Sequence, residues 1–330
     1  MNMDENGQLN APAGGPPRNP FVFVVGCPRS GTTLLRRILN AHPQLAIPKV
    51  ETHWIPKLFN KRRGLTDDGH ALPELLDCLA DDHRFARMGI SRRELEALLA
   101  ADPDQTYAEF TARLFGLFGE KRGKALAGDK TPGYVRHVAL LHRLFPEARF
   151  VHLIRDGRDV CLSMLNWDRR HKSAGRLGTF AEDPVGTTAL FWEWLVRLGR
   201  EASARLPAGR YLEVKYEALV ADTETVARAM CAHLGLPFEP QMLEYHSGRT
   251  RHDAGLSSKK AWLPPTGGLR DWRTQMPAGD LLRFEAAAGE LIAELGYERS
   301  CEHIPPSARE HAARLRAAFE RKPHPAGWRA

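Results

Sequence analysis

The sequence predicts an α/β fold of the P-loop type, with a doubly wound, mostly parallel sheet, flanking helices and a helical insertion. Two observations predict it. First, an apolar run at Phe21–Gly26 leads into a glycine-containing turn and then a helical pattern. Second, similar apolar runs recur at Phe150–Arg155 and Tyr211–Tyr216, with helical patterns between them. Strands alternating with helices are typical of a parallel sheet covered on both faces. In such sheets ligands bind beyond the carboxyl ends of the strands.

The first elements follow from their apolar patterns. Phe21–Gly26 is apolar throughout, which suits a strand buried on both faces of a sheet. The helix that follows ends before Pro43 and places Leu34, Leu35, Ile38 and Leu39 on one face. Residues 61–120 are charged and helical in pattern, so we expect a helical insertion that covers one edge of the sheet.

The later elements alternate in the same way. The stretch YVRHVALLHRLFPEARFVHLIRD predicts a helix, a turn at Pro146 and then the second strand. After the third strand, Asp222 can cap a helix whose end is marked by Gly235. These segments complete the predicted alternation of strands and helices.

Composition limits the classes of function. The 330 residues are 43% hydrophobic and carry a formal net charge of +7, which suggests an anionic partner or simply a basic surface. No apolar run of about 18 residues could span a membrane, and the N-terminus does not resemble a secretory signal. The five scattered cysteines form no C-x-x-C pair, so we expect reduced thiols and a cytoplasmic location. We expect a disordered tail at 1–19, a main domain at 20–304 and a basic extension at 305–330.

The turn after the first strand, Gly26–Thr33 (GCPRSGTT), has the order of strand, glycine loop and helix that binds phosphate. Glycines let backbone N–H groups approach an anion, and a helix N-terminus adds about half a positive charge. The nucleotide triphosphatase loop has a lysine where this chain has Thr32. Arg29, Thr32 and Thr33 offer other donors, and Cys27 is interpreted as a small residue that fits a tight turn. The loop therefore predicts an anion site without the lysine of an ATP site.

A second anion site is predicted at 152–164 (HLIRDGRDVCLSM). Arg155 ends a strand and Ser163 follows within the next helix, so a guanidinium and a hydroxyl can meet around one small anion. The alternative is a structural segment in which Asp156 and Arg158 pair with each other. Two separate anion sites would suit a ligand with two phosphates.

Glu51 follows the first helix after only a short loop. A carboxylate near a phosphate-binding loop repels the ligand, so its presence requires a reason. One reason is duty as a general base, and the other is pairing with Arg29 or Lys130. Position alone does not decide between them. His53 is a second candidate for the base or for contact with an acceptor, with an ordinary structural histidine as the alternative.

These segments resemble a known family. Gly26–Thr33 is similar to the 5′-phosphosulfate loop, and Arg155–Ser163 to the 3′-phosphate motif, of sulfotransferases that use 3′-phosphoadenosine 5′-phosphosulfate (PAPS). Glu51–Pro56 and Asp129–Pro132 resemble segments of the tyrosylprotein sulfotransferases and their bacterial relatives. The stretches KYEALVAD, LRDWRTQMP and ELGY extend the likeness to roughly residues 21–297.

The resemblance implies in-line transfer of a sulfuryl group from PAPS to an acceptor hydroxyl, without a metal ion. It implies Glu51 as the general base and Lys130 as the residue that stabilises charge on the departing oxygen. The remaining site residues are implied to bind PAPS: Arg29, Ser30, Gly31, Thr32 and Thr33 at the 5′-phosphosulfate, Arg155 and Ser163 at the 3′-phosphate, and Tyr216 and Arg270 in support.

The acceptor does not follow from the resemblance. Enzymes that sulfate secreted proteins carry a membrane anchor and luminal disulfides, which we do not expect here, so the acceptor could be a sugar, lipid, phenol or peptide tyrosine. Residues 166–180 are predicted to form a basic loop, either over the acceptor site or simply solvated. The sequence leaves the oligomeric state open, a homodimer included.

Two other classes of protein remain as alternatives. A P-loop kinase shares the strand, loop and helix, but it requires the missing lysine and an acidic magnesium ligand. A nucleic-acid-binding protein would fit the net charge, yet the basic residues are dispersed and 40 acidic residues offset them. No H-E-x-x-H or G-x-S-x-G motif is present. We therefore expect neither a nucleic acid partner nor a metal.

Overall fold

The structure is a computed structural model that describes residues 19–166, 173–246 and 271–321. Its strands are β1 (Val22–Gly26), β2 (Leu45–Ala46), β3 (Leu126–Ala127), β4 (Asp129–Lys130), β5 (Arg149–Ile154) and β6 (Tyr211–Lys215). Its helices are α1 (Thr32–Ala41), α2 (Trp54–Asn60), α3 (Glu74–Ala80), α4 (Arg92–Ala100), α5 (Tyr107–Glu120), α6 (Val138–Leu144), α7 (Gly157–Leu165), α8 (Pro184–Ser203), α9 (Tyr216–Ala221), α10 (Thr223–Leu234), α11 (Trp272–Gln275), α12 (Ala278–Glu294) and α13 (Pro306–Arg321).

The central sheet has four parallel strands in the order β4-β1-β5-β6, and a separate small sheet pairs β2 with β3. Val24 of β1 lies opposite Lys130 on one side and Val151 on the other. Connections between parallel strands must cross over the sheet, and here they contain helices. The predicted mostly parallel sheet with flanking helices is therefore confirmed.

Alternate side chains of the central strands enter two hydrophobic cores, one on each face of the sheet. On one face Phe23, Val25 and Phe150 pack in the core that also holds residues of α5, α8 and α12. On the other face Val24 and Val151 pack with residues of α1 and α10. Burial on both faces explains why β1 is apolar throughout.

The strand boundaries differ slightly from the sequence prediction. The second strand ends at Ile154, so Arg155 lies just beyond it. Tyr216 was predicted to end the third strand, but it begins helix α9 instead. The strands β2, β3 and β4 were missed because two residues are too short to show a periodic pattern.

Residues 61–120 contain α3, α4 and α5. Capping boxes fix the starts of α4 and α5, where Ser91 pairs with Glu94 and Thr106 with Glu109. The apolar side of α5 is buried in the core that contains Phe23 and Phe150, through Phe110, Phe115 and Phe118. This helical region follows α2 and contacts it, since the Tyr107 hydroxyl at the start of α5 donates to the Ile55 carbonyl oxygen at 3.0 Å.

The C-terminal helices α12 and α13 pack against α8. Arg316 of α13 donates to Glu193 of α8 at 2.6 Å and to the carbonyl oxygen of Ala287. Residues 1–18 of the predicted N-terminal tail lie outside the described residues. Its last residue, Asn19, is described, and its side chain accepts a hydrogen bond from Ala127 N. Residues 322–330 also lie outside the described residues. Among the described helices, none combines the length and apolar character needed to cross a bilayer.

Candidate active site

All four strands of the central sheet contribute to the site at their carboxyl ends. Lys130 is the last residue of β4, the Gly26–Thr33 loop follows β1, Arg155 follows β5 and Tyr216 follows β6. Parallel strands end at the same edge of a sheet, so residues far apart in sequence converge there. This edge therefore brings together predicted site residues from all four strands.

The loop before α1 presents the N-terminus of the helix without a side-chain cap. Gly31 is the N-cap residue with φ of 95°, and the first turn of α1 holds no acidic residue. Arg29 is also left-handed, with φ of 77°. A side chain at position 31 would collide with the ring of Tyr216, so glycine is required by both conformation and space. The first N–H groups of α1 are therefore placed to bind an anion.

The two predicted anion motifs are in direct contact. Arg29 Nε donates to Ser163 Oγ at 3.0 Å, across 134 residues of sequence. Ser30 is fully buried, and its hydroxyl makes no hydrogen bond within the described part of the chain. Cys27 is buried beside it, so the interpretation as a small residue in a tight turn fits the structure. The loop and α7, through Ser163 in its second turn, thus form one cluster of donors.

Arg155 is held on several sides. Only 7% of the residue is exposed, and its Nη2 donates to Asp159 Oδ2 at 3.0 Å. The guanidinium lies 4.3 Å from the centre of the Tyr216 ring, close enough for a cation–π contact. Trp192 Nε1 donates to the Arg155 carbonyl oxygen at 3.1 Å. The side chain is therefore fixed at the end of β5.

Arg158 forms the ion pair that the sequence left open. Its Nε and Nη2 donate to the two oxygens of Asp156, at 3.0 and 2.7 Å. Its Nη1 donates to Glu285 Oε1 at 2.8 Å, and its guanidinium stacks 3.5 Å from the Trp272 ring centre. Arg158 is fully buried, so this pairing is structural and fastens α7 to the C-terminal helices.

Glu51 accepts a hydrogen bond from each of two side chains, Lys130 and His53. Lys130 Nζ donates to Glu51 Oε1 at 2.8 Å, so the pairing with Lys130 considered from the sequence is present. His53 Nε2 lies 3.1 Å from Glu51 Oε2 and must carry the hydrogen, because an ionised carboxylate only accepts. Burial alone would raise the pKa of Glu51, but the hydrogen bond from His53 and the charge of Lys130 outweigh it and hold the pKa at about 2.

Hydrogen bonds of the buried residue Thr52 hold the loop that carries Glu51 and His53. His53 is left-handed, with φ of 51°, and the residue between the two, Thr52, is fully buried. Thr52 N donates to Thr131 Oγ1 at 2.9 Å, and its hydroxyl bonds with Tyr134 OH at 2.6 Å. Glu51 and His53 therefore stay partly exposed, each with 39% of its side chain accessible, on a loop fixed by buried polar contacts.

Several site residues were not found from the sequence. Asp159 and Trp272 support Arg155 and Arg158, and Tyr134 supports the loop of Glu51. The spacing of four residues between Arg155 and Asp159 is typical of an ion pair on a helix, so the sequence carried a signal for Asp159. Trp272 and Tyr134 are far in sequence from the residues they contact, so no sequence pattern indicated them.

Some predictions fall outside the described residues. Arg270 lies there, as do residues 167–172 of the predicted basic loop, so neither is placed in the site. The five cysteines, all in the described ranges, are free thiols. Across those same ranges, no group of three or more His, Cys, Asp or Glu side chains is arranged to hold a metal ion.

Comparison with known proteins shows which family the chain resembles. Residues 20–240 match the model of the sulfotransferase family. Protein-tyrosine sulfotransferase 2 of Gallus gallus is 27% identical over 287 residues, which span 84% of this chain and 70% of that protein. Nodulation protein NoeE of Sinorhizobium fredii is 29% identical over 305 residues, or 86% of this chain and 67% of that protein.

A solved structure shares the fold. The sulfotransferase domain from the curacin biosynthetic pathway superposes with a TM-score of 0.57 at 23% identity, covering 84% of this chain and 98% of that domain. At this identity the likeness concerns the fold alone. The match of the family model extends over two thirds of the sequence, and it confirms the enzyme class predicted from the two anion motifs. The chain belongs to the sulfotransferase family.

Proposed function

We propose that the protein transfers a sulfuryl group from PAPS to an acceptor hydroxyl by in-line displacement. The contact between Arg29 and Ser163 carries the proposal, since it joins the loop for one phosphate to the motif for a second. A ligand with phosphates at both the 5′ and 3′ positions would use both. The family match favours this function over the kinase alternative.

The chain offers donors that fit PAPS. The N-terminus of α1 has no side-chain cap and no acidic residue in its first turn, and the Ser30 hydroxyl has no partner within the described residues. These groups, with Arg29, Thr32 and Thr33, would hold the 5′-phosphosulfate. Arg155 and Ser163 would hold the 3′-phosphate, and Tyr216 would support Arg155 from its stacked position.

In the proposed reaction PAPS supplies the activated sulfuryl group and adenosine 3′,5′-bisphosphate leaves. The acceptor oxygen bonds to sulfur while the bond from sulfur to the bridging oxygen of the 5′-phosphate breaks. Glu51 accepts the proton of the acceptor hydroxyl. Lys130, 2.8 Å from Glu51, would then stabilise the charge that develops on the departing oxygen.

The acceptor class remains a hydroxyl compound: a sugar, lipid, phenol or peptide tyrosine. The named relatives include protein-tyrosine sulfotransferases and a nodulation protein, so they favour no single class for this chain. Incubating the protein with PAPS and one member of each class, followed by mass spectrometry for an added sulfuryl group, would choose among them.

The donor site is tested by a thermal-shift titration with adenosine 3′,5′-bisphosphate, ADP and magnesium-ATP. At about 100 times its dissociation constant, a ligand stabilises the fold by about 2.7 kcal/mol. We expect the bisphosphate to stabilise the wild type most, and Arg155→Ala to lose this preference. Arg228→Ala, which breaks an exposed pair on α10, serves as the control and should keep it. A shift with magnesium-ATP alone would contradict the proposal.

A further inference from the structure

Asp159 links Arg155 to the C-terminal part of the chain. One of its oxygens, Oδ2, accepts from Arg155 Nη2 at 3.0 Å. The other, Oδ1, accepts from the backbone N–H of Trp272 at 2.9 Å. Both oxygens are thus engaged, and the carboxylate stands between the end of β5 and the start of α11.

A buried carboxylate at this place requires a reason. Only 9% of Asp159 is exposed, and burial raises its pKa despite the opposing charge of Arg155. The charge would also repel a phosphate bound to Arg155. Burial and repulsion of the ligand both make this carboxylate unfavourable. Its presence is explained if Asp159 fixes the direction of the Arg155 guanidinium, because Arg155 then loses its rotamer freedom before any ligand binds.

The partner of Asp159 is itself fixed. The Trp272 ring stacks 3.5 Å from the Arg158 guanidinium, and Arg158 is bonded to Glu285 of α12. The first turn of α7 is therefore tied to α11 and α12, which lie beyond the matched region that ends at residue 240. Asp159 itself lies inside the matched region, but the backbone N–H that holds its second oxygen comes from Trp272, outside that region.

We propose that Asp159, held by the backbone of Trp272, is a positioning residue that directs Arg155 at a 3′-phosphate and so gives the donor site its selectivity for nucleotides that carry one. The inference rests on the proposed use of PAPS. Under this inference, Asp159 affects the binding of the 3′-phosphate only. A general role in folding would instead affect the binding of all nucleotides.

The test is calorimetric titration of adenosine 3′,5′-bisphosphate and ADP into wild type and Asp159→Asn. Asparagine keeps the size and can still accept from Trp272 N, but it cannot accept from Arg155 with its amide nitrogen. We expect affinity for the bisphosphate to fall about tenfold, as for the loss of a charged hydrogen bond, and affinity for ADP to change less than twofold. Asp222→Asn, at the start of α10, is the matched control and should change neither affinity.

A double-mutant cycle keeps the test independent of stability. In the Arg155→Ala background, Asp159→Asn should have no further effect on bisphosphate binding, because it acts through Arg155. If Asp159→Asn does not fold, Asp159→Glu keeps the charge and displaces Arg155, and it should lower the same preference. An undiminished preference, or equal loss for both nucleotides, would overturn the inference. A wild type without any preference would instead refute the proposed function.

Discussion

Among single residues, Glu51, His53 and Lys130 form the cluster to which we assign the acid–base chemistry of the proposed reaction. With its pKa at about 2, Glu51 stays ionised throughout the range in which the enzyme can be assayed. A base is active in its deprotonated form, so activity that depends on Glu51 should not fall as pH drops from 8 to 5. The bond from His53 supports this state of the carboxylate.

We therefore predict that Glu51→Gln lowers kcat by about 10²- to 10⁴-fold, the usual effect of losing a general base. His53→Asn should lower it less, since asparagine can still donate to Glu51. The measurement is kcat and kcat/KM for both variants from pH 5 to 8. A larger loss in His53→Asn, with an acid limb in the wild-type profile that this variant lacks, would identify His53 as the base.

Asp129, next to Lys130 in β4, is a buried carboxyl group with an unusual pKa. Burial raises the pKa from 3.8 to about 6, although the Thr131 and Thr52 hydroxyls and the charge of Lys130 oppose it. Neither hydroxyl makes a well-directed hydrogen bond to it, and both carboxyl oxygens lack a partner within the described residues. The folded state therefore binds a proton more tightly than the unfolded state, and stability falls as pH rises from about 4 to 6.

We predict that Asp129→Asn is more stable than wild type at pH 8, by at most about 3 kcal/mol, because the amide carries no charge. The advantage should shrink at pH 4, where the wild-type carboxyl is protonated. Urea denaturation at the two pH values measures it. Asp104→Asn, at an exposed position, should show no such difference. An advantage equal at both pH values would refute the assigned charge effect.

Among the helices and strands, Lys124 completes the C-terminal end of α1, the helix that begins at the predicted anion-binding loop, Gly26–Thr33. Its ammonium donates to the carbonyl oxygens of Asn40, His42 and Leu45, at 2.6, 2.9 and 3.0 Å. The last carbonyls of a helix lack internal partners and attract a cation. Lys124 therefore fixes both the end of α1 and the turn into β2.

Replacing Lys124 with methionine should destabilise the fold by about 1.5–3 kcal/mol, the range for hydrogen bonds to a charged group. Lys121→Met is the matched control, because Lys121 forms only an exposed pair with Glu94, which contributes about 0–1 kcal/mol. Urea midpoints of the two variants provide the measurement. Equal midpoints would show that the three carbonyl contacts contribute nothing beyond a surface pair.

The elements also show what could be predicted from the sequence. Long apolar or periodic segments such as β1, α1 and α10 were predicted within a residue or two, because local pattern and burial agree there. The strand β4 was not, since two residues show no period. Motif residues such as Arg29 and Ser163 were found, but their contact could not be, because the fold brings together positions 134 residues apart.

Across the whole molecule, Glu285 joins the C-terminal helices to α7, the helix that carries Ser163 of the proposed donor site. Its oxygens accept from Arg158, from the backbone and hydroxyl of Ser300, and from the backbone of Cys301. Burial alone would raise the pKa of Glu285. The hydrogen bonds and the charge of Arg158 outweigh burial, so the pKa of Glu285 lies below its usual value. The side chains of Glu285 and Arg158 are both fully buried.

We predict that Glu285→Gln costs about 3–5 kcal/mol of stability, because it leaves the buried Arg158 without its full charge partner and turns an amide donor towards other N–H groups. Glu294→Gln, on the exposed side of the same helix, should cost less than about 1 kcal/mol. Denaturant unfolding of both variants is the measurement. A small cost for Glu285→Gln would mean that the buried pair with Arg158 contributes little to holding the C-terminal helices in place.

The burial of Cys27 gives the predicted anion-binding loop a built-in chemical reporter. Thiol-specific reagents such as maleimides react with the thiolate, yet Cys27 is only 1% exposed and burial raises its pKa well above the usual range. Labelling of this cysteine therefore requires the loop to open. Because Cys78 and Cys301 are partly exposed, they should be alkylated first, and the slower rate at Cys27 would measure how often the native loop opens.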